Sequence, residues 1–142
     1  MQIDHVELFV PDRHEAARWY HDALGLEILD GYREWADDPR GPLMISSDGG
    51  ATKLALFTGE PQGRKPTAGF HLVAFRLGAA DFLAFLDRLP ALQLSDHRGR
   101  EITRDLTVDH DKSFSLYFSD PWGHRLELTT YEHAAVRAAL GS

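Results

Sequence analysis

The sequence predicts an α+β domain built from two βαβββ modules, whose strands form a concave mixed sheet with the helices on its outer face. The 142 residues suffice for one compact domain or for two small fused halves. The composition, 43% hydrophobic and 26% charged, is typical of a chain with a buried core. The same order of predicted elements also occurs twice along the chain, which points to a duplication.

Two alignments carry the duplication. DHVELFVPD aligns with FHLVAFRLG so that His5 matches His71, and in both places a strand with a leading His runs into a helix. SDGGATKLALFT aligns with SDPWGHRLELTT, which pairs Ala55 with Glu127. The predicted parts are module one at 1–58, a Gly- and Pro-rich linker at 59–68, module two at 69–131 and a C-terminal helix at 132–140.

The elements of module one follow from the spacing of its apolar residues and from its turn residues. Residues 3–10 alternate as a strand, and Pro11 ends it. Asp12 and Glu15 have the spacing of a capping box at a helix start, and Gly25 ends that helix. Further strands are predicted near 27–36, 42–47 and 52–58.

Module two repeats this pattern. A strand at 69–77 leads into a helix at 79–89. The helix has one apolar stripe, formed by Phe82, Phe85, Leu86 and Leu89. Further strands are predicted near 100–106, 113–119 and 124–131.

Strand alternation leaves one polar face in each module that no helix covers. His5, Tyr117 and Glu127 lie on such faces and His71 leads the first strand of module two, so we expect these four residues to line one concavity. Two imidazoles and one carboxylate are a ligand set that suits Fe(II), and Mn, Zn or Ni take the same set. The sequence therefore predicts a metal site formed by His5, His71 and Glu127.

Charge and composition limit the partners. The chain carries 15 Lys and Arg against 22 Asp and Glu and has no long basic run, which disfavours nucleic acid. It has no cysteine, which excludes disulfides and thiolate ligands. The amino end lacks the apolar stretch of a signal peptide, and no apolar run reaches the roughly 18 residues of a membrane span. We expect a cytoplasmic protein without a membrane partner.

The paired modules, the leading His of each and the late segment DPWGHRLEL resemble the vicinal oxygen chelate superfamily. Glyoxalase I, extradiol dioxygenases, fosfomycin-modifying thiol transferases and metal-free antibiotic-binding proteins belong to it. The resemblance implies that His5, His71 and Glu127 are the metal ligands. It also implies a homodimer, since small members generally dimerise.

A second pattern resembles the extradiol ring-cleaving dioxygenases. Its fixed places are filled by Val108, His110, Leu116, Tyr117, Asp120, Pro121, Gly123 and Glu127. The resemblance implies that Tyr117 hydrogen-bonds a ring hydroxyl and that His110 lies near the substrate, as the two catalytic residues. The implied activity is Fe(II)-dependent cleavage of a small catecholic substrate by dioxygen.

Other activities of the superfamily stay open. Ala55 stands where glyoxalase I has a fourth ligand, so that isomerisation is disfavoured. LALFTGE lacks the further catalytic His that extradiol enzymes usually have there. The alternatives are a fosfomycin-type thiol transferase, which Glu7 near the metal disfavours, and a metal-free antibiotic-binding protein. The latter would hold an aromatic drug in a cleft lined by Phe9, Tyr32, Trp35 and Phe57.

Overall fold

The computed structural model describes residues 1–63 and 65–141, and the chain divides into two compact units, Met1–Thr67 and Ala68–Ser142. Each unit has its own four-stranded mixed sheet in βαβββ order, so the predicted α+β class is confirmed. The predicted linker at 59–68 includes Arg64, which lies outside the described residues. None of the described helices combines the length and apolar character needed to cross a membrane.

Unit 1 has strand order β1-β4-β3-β2, in which only the β1–β4 pair is parallel. A 3₁₀ helix, Asp30–Asp37, lies between β2 and β3. The elements are β1 (His5–Val10), α1 (Arg13–Leu24), β2 (Glu27–Ile28), β3 (Leu43–Ser46) and β4 (Lys53–Thr58).

Helix α1 begins and ends where the sequence predicts. The Asp12 carboxylate accepts hydrogen bonds from the backbone N–H groups of His14 and Glu15 at 2.8 and 3.0 Å, which satisfies two donors of the first turn. Gly25 follows the last turn at φ +72°, a left-handed conformation that glycine adopts without strain. The helix buries Tyr20 and three alanines, Ala16, Ala17 and Ala23, and it packs against β3 and β4.

The strand predicted near 27–36 is wrong beyond Ile28. Tyr32 and Trp35, three residues apart, contact each other with ring centroids 4.8 Å apart, a spacing that suits a helical turn rather than a strand. Buried Arg13 fixes the segment from α1, because its guanidinium donates to the backbone carbonyls of Ala36, Asp38 and Gly41.

Unit 2 repeats the topology with strand order β5-β8-β7-β6, in which only β5 and β8 are parallel. The elements are β5 (Val73–Arg76), α2 (Ala79–Leu92), β6 (Val108–Asp109), β7 (Phe114–Ser119), β8 (Arg125–Thr130) and α3 (His133–Leu140). The predicted apolar stripe of α2 is buried as expected.

Three elements of unit 2 differ from the prediction. The strand predicted near 100–106 is wrong, since Glu101 forms only an isolated bridge with Ser95 and a 3₁₀ helix spans Arg104–Leu106. Strand β5 begins at Val73 rather than at residue 69. Helix α2 continues through Pro90, where the missing N–H removes one bond near the helix end, and Gln93 closes the helix at φ +53°.

Helix α2 has an unusual cap. Gly78 precedes the helix and offers no side chain, but the Glu132 carboxylate accepts from the backbone N–H of Ala79 at 2.6 Å. A carboxylate at this end also interacts favourably with the helix dipole. The contact ties the start of α2 to the residue that precedes α3.

The turn before β4 gives an acid-sensitive contact. The Asp48 carboxylate accepts from the hydroxyl of Ser46 at 2.7 Å and from the backbone N–H and hydroxyl of Thr52 at 3.0 and 2.7 Å. The Thr52 and Ser46 bonds hold the pKa of Asp48 well below its usual 3.8. A carboxyl whose pKa is lowered in the folded state stabilises the fold above the unfolded pKa, and this contribution is lost as the pH falls.

We expect Asp48→Asn to lower the free energy of unfolding at neutral pH and to make it less sensitive to acid below about pH 4. Urea unfolding midpoints at about pH 6 and about pH 3 measure both effects. Asp37→Asn, at an exposed position of the same unit, is the control. If Asp48→Asn loses as much stability on acidification as the unmodified chain does, the assignment is contradicted.

Candidate metal centre

His5 of unit 1 lies on the face of β1 opposite to buried Leu8. Its Nδ1 is 2.8 Å from an Asp4 carboxylate oxygen and its Nε2 is 3.4 Å from Glu7. The hydrogen bond with Asp4, followed by that with Glu7, raises the pKa of His5 above its usual 6.5, although partial burial opposes the shift. Glu7, to which the sequence assigns no role, therefore contacts the predicted ligand His5.

Unit 1 contains a cavity of about 250 Å³ beside His5. Three of the four predicted cleft aromatics line it, and the fourth, Phe9, stacks on Phe57 with ring centroids 5.6 Å apart. Lys53 forms an ion pair with Asp4 at 2.9 Å. The cavity is lined by Asp4, His5, Glu7, Tyr32, Trp35, Pro42, Met44, Lys53, Ala55 and Phe57.

In unit 2 the sheet brings together three residues of the predicted site. Tyr117 on β7 and Glu127 on β8 are direct cross-strand partners. The Tyr117 hydroxyl is 2.9 Å from Nε2 of His110, which follows β6. The Glu127 carboxylate accepts from the hydroxyl of Ser115 at 2.7 Å. The two predicted catalytic residues therefore form a hydrogen-bonded pair on the sheet that carries Glu127.

The environment of Tyr117 keeps its proton on. Burial raises the pKa of Tyr117 above its usual 10, and the charge of Glu127 raises it further. The phenol is therefore neutral at physiological pH and can donate a hydrogen bond. A hydroxyl bonded to an imidazole is an arrangement that can pass a proton.

His71, the remaining predicted ligand, precedes β5 and is exposed. Its Nε2 is 2.8 Å from Nη1 of Arg125. A guanidinium only donates, so Nε2 of His71 is the acceptor and carries no proton. An unprotonated ring nitrogen is also the form in which an imidazole binds a metal. Arg125 is not among the residues of the predicted site, although alternation along β8 places it on the same face as Glu127.

The strand registers correct the alignment of the two histidines. In each sheet the first and last strands are parallel neighbours. Glu7 pairs with Ala55 across β1 and β4, and Ala74 pairs with Glu127 across β5 and β8. Because the repeat matches Ala55 with Glu127, Glu7 and Ala74 hold corresponding places.

Counting back two residues from each of these places gives the counterpart of His5. Two residues before Glu7 is His5, whereas two residues before Ala74 is Leu72. The alignment of His5 with His71 is therefore one residue out of register with the sheets. His71 lies before the first paired residue of β5, where the ladder does not fix which way its side chain points.

The imidazoles of His5 and His71 and the carboxylate of Glu127 are groups that bind divalent cations. Two of the three also have the hydrogen-bond partners that metal ligands commonly have. His5 has a carboxylate behind Nδ1, and Glu127 has a hydroxyl on one oxygen, which are partners that orient ligands. In the part of the chain that the structure describes, no three His, Asp or Glu side chains already form a group that could hold a metal.

A unit 2 cavity of about 250 Å³ lies beside His71. It is lined by His71, Leu72, Asp96, His97, Tyr117, Phe118, Ser119, Arg125 and Leu126.

Solved structures share this fold. Oxidase ChaP-H2 matches with 24% identity and a TM-score of 0.65, covering 96% of this chain and 98% of its own. A glyoxalase/dioxygenase from Nostoc punctiforme matches with 19% identity and a TM-score of 0.63, covering 92% and 90%. The fosfomycin resistance protein FosX from Listeria monocytogenes matches with 13% identity and a TM-score of 0.61, covering 96% and 98%. A comparison with curated proteins finds no significant match.

A family model describes nearly the whole chain. The model for the glyoxalase/bleomycin resistance protein/dioxygenase superfamily matches residues 2–128, which span both sheets from before β1 into β8. The match agrees with the two βαβββ units and with the resemblance that the motifs indicate. The chain therefore belongs to the glyoxalase/bleomycin resistance protein/dioxygenase superfamily.

Proposed function

We propose that this chain is a metal-dependent oxidoreductase of the extradiol dioxygenase type, which uses dioxygen to cleave a small catecholic substrate. The proposed metal is Fe(II), with His5, His71 and Glu127 as ligands. The observation that carries the proposal is the 2.9 Å contact between Tyr117 and His110, directly across the strand pair from Glu127. An acid–base pair beside a carboxylate ligand is what deprotonation of a bound phenol requires.

The roles proposed for Tyr117 and His110 follow from the proton on Tyr117 and from the contact between the two side chains. Tyr117 keeps its proton at neutral pH, because burial raises its pKa, and so it donates a hydrogen bond to a substrate oxygen. Nε2 of His110 lies 2.9 Å from the Tyr117 hydroxyl, so it can accept a proton from Tyr117 or return one to it. When bound, a divalent metal supplies Lewis acidity that lowers the pKa of a hydroxyl it coordinates.

A metal-free aromatic-binding protein is the second candidate, and one observation favours it. The Nε2 lone pair of His71 already accepts a hydrogen bond from Arg125. A cation at that nitrogen must displace the guanidinium, and two neighbouring positive charges repel each other. In this alternative the aromatic cavity of unit 1 would hold the ligand.

Metal analysis together with turnover separates the candidates. The purified protein is loaded anaerobically with Fe(II), its metal content is measured, and catechol is added under air. We expect one iron per site and a yellow ring-fission product. Iron that binds without any ring-fission product from a panel of catechols would contradict the dioxygenase. A protein that takes up no Fe(II), Mn, Zn or Ni would leave the metal-free candidate.

We also propose that the chain forms a homodimer, as the resemblance to small superfamily members implies. Light scattering behind a sizing column measures this directly. The expected mass is twice the 16.0 kDa of one chain. A mass of 16.0 kDa at all concentrations tested would contradict it.

A further inference from the structure

Among the residues that the structure describes, the Arg125 side chain in the cavity of unit 2 has no carboxylate partner. Arg125 on β8 lines this cavity together with Ser119, its direct cross-strand partner on β7. Within residues 1–63 and 65–141 no carboxylate forms an ion pair with the Arg125 guanidinium, whose side-chain partner is the imidazole of His71 at 2.8 Å. The acceptor nitrogen of His71 holds the guanidinium in place and leaves its other N–H groups available.

The same cavity wall carries a polar atom that the fold does not use. The Ser119 hydroxyl is buried and makes no hydrogen bond among the residues described. The backbone N–H of Ser119 is already satisfied by the carbonyl of Ser95 at 2.8 Å, so the hydroxyl is the part of the residue left over. Buried polar groups almost always have partners, and one that lacks a partner beside a cavity is suited to a ligand.

The one acidic residue that lines the cavity does not neutralise Arg125. Asp96 accepts from the backbone N–H groups of Arg98 and Arg100, each at 2.9 Å. Its other carboxylate oxygen forms an ion pair with Nε of Arg100 at 3.0 Å. The Asp96 carboxylate is therefore bound within its own loop, and no other carboxylate of the described ranges pairs with Arg125.

We propose that Arg125 and Ser119 bind a carboxylate group of the ligand, and that the ligand is an aromatic acid, since Tyr117 and Phe118 line the same cavity. A guanidinium fork matches the two oxygens of a carboxylate, and a single positive charge matches a monoanion. A cavity of roughly 150 Å³ suffices for benzene, so one of about 250 Å³ has room for a ring with a carboxylate. That this acid is the substrate rests on the proposed function, but its binding does not.

Calorimetric titration of the metal-free protein tests the subsite. The protein is treated with a chelator and titrated with benzoate, with its neutral analogue benzamide and with inorganic phosphate. We expect benzoate to bind about tenfold more tightly than benzamide, because only benzoate carries a negative charge and two carboxylate oxygens that match the Arg125 guanidinium. Equal affinities for benzoate and benzamide, or no binding of benzoate, would overturn the proposal. Tighter binding of phosphate than of benzoate would overturn the choice of carboxylate.

Variants locate the binding. Arg125→Gln should lower benzoate affinity about tenfold and leave benzamide unchanged, and Arg125→Lys, which keeps the charge but loses the fork, should be intermediate. Arg40→Gln is the matched control, since Arg40 is exposed and belongs to unit 1. If Arg125→Gln and Arg40→Gln bind benzoate equally well, the subsite is not where we place it.

Ser119→Ala adds a readout that a purely structural role would not give. We expect benzoate affinity to fall about fivefold while the thermal midpoint of the free protein is unchanged, because the hydroxyl makes no hydrogen bond to any residue that the structure describes. A lower thermal midpoint together with unchanged benzoate affinity would contradict a role for the Ser119 hydroxyl in binding. No metal takes part, so benzoate binding without catechol cleavage refutes only the proposed function, and cleavage without benzoate binding refutes only this subsite.

Discussion

Glu127→Gln is expected to lower the affinity for Fe(II) by about a hundredfold or more, since it removes the only charged ligand of the proposed set. The substitution is nearly isosteric, and an amide oxygen can still accept the hydrogen bond from Ser115. The expected loss therefore reports the missing negative charge rather than a disturbed sheet. Competition with a coloured chelator under anaerobic conditions measures the affinity.

Tyr117→Phe is the informative partner of this experiment. It removes the hydroxyl that contacts His110 but no proposed ligand. We expect its Fe(II) affinity to stay unchanged while kcat falls by about a hundredfold, the size of a lost acid–base contribution. Glu101→Gln is the control for Glu127→Gln, because it makes the same acid-to-amide change at an exposed position of unit 2. Equal loss of metal in the Glu127 and Tyr117 variants would contradict the roles assigned to them.

The second large effect concerns folding. Arg13 is only 7% exposed, and its guanidinium donates to the backbone carbonyls of Ala36, Asp38 and Gly41. Arg13→Met keeps much of the side-chain length but leaves these carbonyls without their charged donor. We expect the free energy of unfolding to fall by about 3 kcal/mol, as for the loss of a buried hydrogen-bonded charge.

Urea denaturation measures this change, with Arg18→Met as the control. Arg18 lies on the same helix but is exposed, so its replacement should change the unfolding free energy by less than about 0.5 kcal/mol. Similar losses in both variants would mean that helix propensity, rather than the contact with the carbonyls, sets the effect. The Arg13 variant should also become more sensitive to proteolysis between residues 30 and 41, since that segment loses its anchor.

Elements with a strong local pattern could be predicted from the sequence. Helix α1 has its Asp12 cap and its Gly25 stop, and β8 alternates regularly, so local rules sufficed for both. The segment after β2 could not be predicted, because its shape depends on Arg13, which lies far from it in sequence. The segment near 100–106 fails for a related reason, since Glu101 bridges to Ser95 and Ser95 in turn bridges to Ser119, which lies far from it in sequence.

The candidate site shows the same division. The contact between His110 and Tyr117 agrees with a motif in which both residues have fixed places. The match of His71 to His5 rests on identity of residue type, and sequence identity cannot reveal the register of a sheet. One residue decides the face on which a strand side chain lies, so only the pairing of Ala74 with Glu127 exposes the offset. The metal ligands therefore stay a prediction that metal binding must test.

The strand order has a consequence for biosynthesis. In each unit the last strand in sequence, β4 or β8, lies between the first strand and the others, so it occupies an interior place in its sheet. On the ribosome, the first sheet cannot close until Thr58 has been translated, and the second must wait for Thr130. The two sheets therefore mature one after the other, and a nascent chain stalled just before β8 would display β5 and β7 with unfilled hydrogen-bonding edges to chaperones and to other nascent chains.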